Sequence, residues 1–226
     1  MIVAIDGPAG SGKSTVAREV ARRLGFTYLD SGAMYRAVTL GALADGADLD
    51  DGAALGALAG RLDIELRRRD DDNAQVIVDG RDVSDEIREP RVTGASSTVA
   101  AHPEVRAALL AKQRALMADG NYVVEGRDIG TVVAPDAPVK AFLTADPQER
   151  ARRRAAELER RGLSIDRQEV AAAIEQRDTF DSTRSAAPLR RAEDAELIDT
   201  TGLDAGQVAD RILALVARAR AAAAGG

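Results

Sequence analysis

The chain has 226 residues, 45% of them hydrophobic, with a formal net charge of −6 and a sequence pI near 5.0. That suits one domain of ordinary size with a sizeable core, and the acidity argues against a general nucleic-acid or anionic-membrane surface, so clusters of arginine must answer to a smaller ligand. With no cysteine there is no disulfide framework, thiolate zinc site or thiol nucleophile, and catalysis must use oxygen and nitrogen groups.

The first predicted element is a strand, Ile2-Val3-Ala4-Ile5-Asp6, entered so early that a charged and apolar leader has no room before it. No apolar run approaches the about 18 residues of a membrane span. The expectation is a cytoplasmic protein without membrane contact. The strand runs into Gly7-Pro8-Ala9-Gly10-Ser11-Gly12-Lys13-Ser14, which meets the G-x-x-x-x-G-K-[ST] phosphate-binding pattern, and a helical stretch follows from Thr15 to Leu24 with Val16, Val20 and Leu24 on one face. In that setting backbone N–H groups turn inward around a phosphate, the helix N-terminus adds partial positive charge, and Lys13 reaches the outer phosphates. A nucleoside triphosphate is therefore expected on Gly7 through Thr15, with Mg²⁺ beside it. Either Ser14 or Thr15 could ligate the ion, and the pattern favours Ser14.

Further strands are predicted at 27–30, 122–125, 140–144 and 196–199, separated by helical stretches. With residues 2–6 they predict an α/β fold, a doubly wound five-stranded parallel sheet covered on both faces. Ligands of such sheets lie beyond the carboxyl ends of the strands, where Gly7, Ser31, Gly126 and Thr200 emerge. Residues 62–66 and 75–78 break the rhythm as a short antiparallel piece, with turns at 68–73 and 79–80. A helix is predicted from about 103 to 118, with Val105, Leu109 and Leu116 on one face. His102, just before it, reads as a solvated or capping histidine. Residues 147–167 carry Arg150, Arg152, Arg153, Arg154, Arg160, Arg161 and Arg167 against Glu149, Glu157, Glu159 and Asp166. They form either a solvated, salt-bridged face or, in a nucleotide kinase, a mobile lid closing over the transferring phosphoryl group. The tail from 217 to 226 reads as a fraying helix end.

Four later clusters carry polar chemistry: residues 30–36 after the second strand, 125–131 after the third, 177–184 before Pro188, and Ser96-Ser97 upstream of Arg106. Arginine is planar and bidentate toward phosphate, so Arg36, Arg127 and Arg184 gathered at strand ends would make a second anion site facing the first. Two phosphate sites imply transfer between them. A phosphate monoester acceptor is already ionised near neutral pH and needs no general base, which suits a chain with no cysteine and one histidine.

The run I-D-G-P-x-G-S-G-K, L-D-S-G-A-M-Y-R at 29–36, E-G-R-D-I-G-T-V-V at 125–133, the R-D-x-x-D-x-x-R spacing at 177–184 and A-P-L at 187–189 together resemble the bacterial cytidylate kinase family of nucleoside monophosphate kinases. The resemblance spans nearly the whole chain and implies transfer of a phosphoryl group from ATP to CMP or dCMP. It implies that Arg36, Arg127 and Arg184 hold the CMP phosphate, with Ser31 in the same site, that Arg177 and Asp181 contact the ribose, and that Ser97, Arg106 and Asp128 read the cytosine edge. Such a set suits a base that offers an amino donor and ring acceptors. The resemblance also casts Lys13, Arg127, Arg150, Arg153 and Arg154 as catalytic. It divides the chain into a core (1–60, 100–146, 168–226), a monophosphate-binding insert at about 61–99 and a lid at about 147–167, in a monomer acting on small molecules.

Two other enzyme readings share the phosphate loop. A kinase for UMP needs only a different base edge, and a shikimate-type hydroxyl kinase would need Asp30 or Asp128 as a base. A GTP-dependent switch would need N-K-x-D, yet Lys13, Lys112 and Lys140 follow Gly, Ala and Val.

Overall fold

The short β-branched runs of the sequence become strands, and the amphipathic stretches between them become helices, in the computed structural model, which describes residues 1–68 and 74–225. In chain order these are β1 (Ile2–Asp6), α1 (Lys13–Leu24), β2 (Thr27–Asp30), α2 (Ser31–Ala44), α3 (Gly52–Arg61), β3 (Ile64–Arg68), β4 (Ala74–Val78) and β5 (Arg81–Asp82). There follow a 3₁₀ turn (Glu86–Arg88), α4 (Pro90–Ala101), α5 (Pro103–Leu116), β6 (Tyr122–Gly126), a π-helical turn (Ile129–Val133), β7 (Val139–Thr144), α6 (Pro147–Arg160), α7 (Arg167–Thr183), β8 (Glu196–Asp199) and α8 (Ala205–Ala224).

Five strands form one parallel sheet in the order β2-β6-β1-β7-β8. The register pairs Asp6 with Gly126 and Phe142, and Asp30 with Glu125, so the carboxyl ends of β1, β2 and β6 lie level at one edge. Side chains alternate across the pleat. Val3, Ile5, Val123, Ala141, Leu143 and Ile198 face one side, where Val16 and Val20 of α1 and Val208, Ile212 and Val216 of α8 cover them. Ala4, Leu29 and Val124 face the other, against Ile129, Val133 and Met117. A third cluster joins α2, α3 and α5 to the insert through Met34, Val38, Leu55, Ile64, Val76, Ile87 and Leu109, all buried.

The predicted five-stranded parallel sheet is present, and the antiparallel piece is a three-stranded sheet, β3-β4-β5. The predicted turn at 68–73 falls largely outside the described residues. The arginine-rich stretch is not one element. Gly162, at φ +74°, ends α6, and the Asp166 side chain caps α7 by accepting from the Gln168 amide at 2.7 Å. Asp146 caps α6 likewise, with Pro147 at its first position. His102 does not cap: its Nε2 lies 2.8 Å from the Leu49 carbonyl oxygen, tying the α4–α5 junction to the loop before α3.

Candidate active site

The loop after β1 depends on glycine. Gly7 sits at φ +150°, and a Cβ there would lie 2.1 Å from the Leu143 carbonyl oxygen of β7. Gly10 sits at φ +74°, and a Cβ would lie 2.7 Å from the Arg150 carbonyl oxygen of α6. The loop is thus wedged between sheet and α6 with no room for a side chain. Lys13, the first residue of α1, is buried and turns its Nζ back to the Pro8 carbonyl at 2.7 Å and toward Ser11 Oγ at 3.5 Å. Burial, then the positive charge of Arg127, pushes its pKa down to about 7, against the attraction of Glu125 and Asp6. Ser14 and Thr15 are both exposed, but it is Ser14 whose side chain bonds the buried Glu125 carboxylate.

Two arginines of α6 reach this loop. Arg150 donates to the Ala9 carbonyl at 3.2 Å, to the Ala145 carbonyl at 3.2 Å and to Asp178 of α7. Arg153 donates to Thr200 Oγ1 at 2.8 Å and to the Thr200 carbonyl at 2.7 Å, while the Thr200 hydroxyl donates to the Ser11 carbonyl at 3.1 Å. Arg154 is turned to Glu157 at 2.8 Å, and Arg152 to Glu149 at 2.7 Å. The solvated-face reading therefore describes Arg152, which is exposed and pairs along its own helix, whereas Arg150 and Arg153 face the phosphate loop.

Beyond the sheet edge a second cluster of guanidiniums shares too few carboxylates. Asp181 of α7, buried, lies 3.0 Å from Arg127 Nε, 3.7 Å from Arg184 Nη1 and 4.0 Å from Arg177 Nε. Arg36 pairs with Asp30 at 2.7 Å. The Nε atoms of Arg36 and Arg177 are buried without a hydrogen-bond partner. Burial, with Arg127 close by, lowers the Arg177 pKa to about 10, which an adjoining anion would reverse. One carboxylate cannot neutralise three cations, and buried N–H groups without a partner are costly, so an anion would satisfy this cluster. Ser31 donates to the Glu125 carbonyl at 2.7 Å and tethers the start of α2 to the end of β6.

Deeper along α5, Arg106 pairs with Asp128, donates to the Ala100 carbonyl at 3.1 Å and stacks on the Tyr35 ring at 5.4 Å. The predicted base-reading residues are only partly assembled. Ser97 is half-buried on α4 and makes no side-chain hydrogen bond among the described residues, while its neighbour Ser96 lies 3.5 Å from Arg177 Nη2. A cavity of about 310 Å³, lined by Tyr35, Arg106, Gln113, Val132 and Ala187 among others, opens beside this pair.

Four participants have no assigned role in the sequence reading. Asp6 closes the sheet edge by accepting from the Ile129 amide at 2.8 Å and the Gly130 amide at 2.7 Å, and burial raises its pKa to about 6 despite those bonds. Glu125 is also raised, by burial and then by Asp30, and accepts from the Tyr28 hydroxyl. Asp178 accepts from the Ala9 amide at 3.1 Å, and Thr200 bridges Ser11 and Arg153. The sequence signals for the three acids are their places in I-D-G-P, E-G-R-D and R-D-x-x-D. Among the described residues no group of three or more His, Asp or Glu could hold a metal ion unaided.

Comparison with known proteins adds an independent line. The family described as cytidylate kinase matches residues 3–218. A cytidylate kinase of Pelotomaculum thermopropionicum is 50% identical over 218 residues, covering 96% of each chain, and one of Shouchella clausii is 50% identical over 214 residues, covering 95% of each. Among solved structures, an uncharacterized protein from Eubacterium ventriosum superposes with a TM-score of 0.51 at 13% identity, covering 94% of this chain and 96% of that one, a likeness of fold alone. Sequence motifs, a phosphate loop facing an arginine cluster, and half-identical relatives matched end to end agree: the chain belongs to the cytidylate kinase family.

Proposed function

We propose that the protein transfers the γ-phosphoryl group of ATP to the phosphate of CMP or dCMP, giving ADP and CDP or dCDP. The observation that carries this is the acceptor cluster: three guanidiniums around Asp181, with the Nε atoms of Arg36 and Arg177 buried and unpaired, a few side chains from Lys13. A dianionic phosphate satisfies it. A hydroxyl acceptor such as shikimate would leave it unsatisfied.

In this reading, backbone N–H groups of residues 10–15 cradle the β-phosphate and Lys13 follows the transferred group. Arg36, Arg127 and Arg184 grip the acceptor phosphate, Arg177 and Asp181 the ribose, and Ser97, Arg106 and Asp128 the base, with Arg150, Arg153 and Arg154 closing from above. An acceptor oxygen forms a bond to the γ-phosphorus as the bond to the β–γ bridging oxygen breaks, and no proton need be removed first. Mg²⁺ carried with the triphosphate would supply charge neutralisation on the transferring group. The residues that fit it are Ser14 by its hydroxyl and Glu125 by its carboxylate, which already bond each other. Few protein ligands are required of an ion that keeps phosphates and waters.

The division into core, monophosphate-binding insert (61–99) and lid (147–167) belongs to the same proposal, as do a monomeric state and a cytoplasmic setting, the first checked by light scattering. Coupled ADP release with MgATP against CMP, dCMP, UMP, AMP, GMP and shikimate tests the activity. CMP and dCMP are expected to lead, and turnover of shikimate without turnover of any monophosphate would refute the proposal.

A further inference from the structure

Asp178 touches the phosphate loop and Arg150, and it stands on α7 next to Arg177 of the acceptor cluster. Its Oδ1 accepts from the Ala9 amide of the phosphate loop at 3.1 Å, and its Oδ2 accepts from Nη1 of Arg150, which also donates to the Ala9 carbonyl at 3.2 Å. Carboxylate, guanidinium and the Ala9 peptide close a ring. Both charged side chains are largely buried, at 17% and 11% exposed, so the pair is neither loosely held nor screened as a surface pair would be. Nε of Arg150 is tied to the Ala145 carbonyl as well, so its fork has one orientation. On either side of Asp178 along α7 stand Arg177 and Asp181, the members of the acceptor cluster that this helix supplies. One turn of one helix therefore presents one face to the acceptor and another to the donor loop.

We propose that Asp178 is a positioning residue that couples the two substrates: it pins Arg150 to the phosphate loop, and a monophosphate that settles α7 through Arg177 and Asp181 settles Arg150 with it. The inference rests on the acceptor reading given under Proposed function. An arginine that meets a phosphoryl group in flight works best when its geometry is fixed beforehand, because the ordering cost is then met in the resting protein. Asp178 also sets a carboxylate beside the loop that receives a triphosphate, which weakens triphosphate binding on its own. Removing that charge should loosen the coupling without weakening the donor site itself.

The test is titration of the full chain with a non-hydrolysable ATP analogue and Mg²⁺, with and without CMP, alongside steady-state kinetics, for the wild type, Asp178→Asn, Asp178→Glu, Arg150→Gln and the Asp178→Asn/Arg150→Gln pair. In the wild type CMP should tighten the analogue about 5-fold or more. In Asp178→Asn that factor should fall to about one, and kcat should fall on the order of 10-fold or more. By reciprocity KM for CMP at saturating ATP should rise by about the same 5-fold, while CMP binding to the protein without the analogue stays within about 2-fold and analogue affinity without CMP is equal or tighter, a split that a merely structural loss would not give. Asp178→Glu should recover part of the coupling, and the double variant should be no worse than the worse single one. Asp178→Asn with wild-type coupling and kcat, or additive losses in the double variant, would overturn the proposal. Should Asp178→Asn fail to fold, Arg150→Gln decides, since undiminished coupling there overturns it equally. A wild type that phosphorylates no CMP refutes the functional reading instead, and additivity in analogue binding alone then judges the pin.

Discussion

Lys13 illustrates how a single side chain can carry both a site and a titration. It is buried and faces the Pro8 carbonyl, and burial lowers its pKa to about 7. Between about 7 and the ordinary lysine value the folded chain holds fewer protons than the unfolded one, so this group makes ligand-free stability rise with pH across that window; below it both states are protonated and the burial penalty is full. A triphosphate in the loop reverses the balance by favouring the charged form. Binding of the ATP analogue at pH 8 should therefore draw in on the order of one proton, measured by calorimetry in buffers of different ionisation enthalpy. Lys13→Ala should take up none and lose about 100-fold or more in kcat. Proton uptake unchanged in that variant would move the titration to another group.

The helices and strands that carry the site were legible in the sequence to different degrees. The five parallel strands were read directly, because each is a short apolar run ending at a turn residue, and the register that sets Asp30 level with Glu125 and Asp6 one residue beyond follows from their parallel pairing. β5 is two residues long and has no period to detect, and Leu62 and Asp63, read as strand, instead close α3 and precede β3. Arginine spacing told nothing of which side chains would turn inward. That depended on where α6 lands against the loop: Arg150 and Arg153 reach partners far away in sequence, Ala9 and Thr200, although Arg153 also pairs with Glu149, whereas Arg152 and Arg154 find Glu149 and Glu157 on their own helix. Ser97 and Asp178 fell to the same cause, since a motif names neighbours in sequence and not the element opposite. If residues 150–167 form a lid, hydrogen exchange there should slow by about 10-fold or more when a bisubstrate analogue fills both phosphate sites, because closure excludes water from backbone amides that otherwise open locally. Unchanged exchange would leave the α6–α7 hairpin as fixed scaffolding.

At the scale of the molecule, the proposed function divides the labour at the sheet edge between a donor loop on β1 and acceptor groups drawn from β6, α2, α5 and α7. The same proposal gives base choice to the deepest of these, where Arg106 and Asp128 are paired and buried against Tyr35. The central claim, that this is a cytidylate kinase site, is tested most directly by kcat/KM for CMP and UMP in the wild type and in Asp128→Asn. Uracil presents an oxygen where cytosine presents its amino group, so a carboxylate there would face a lone pair and lose a hydrogen bond in a buried site. The account predicts a wild-type preference for CMP on the order of 100-fold or more and its collapse in Asp128→Asn through loss of activity with CMP far more than with UMP. A wild type that prefers UMP, or a variant that loses both substrates equally, would contradict it.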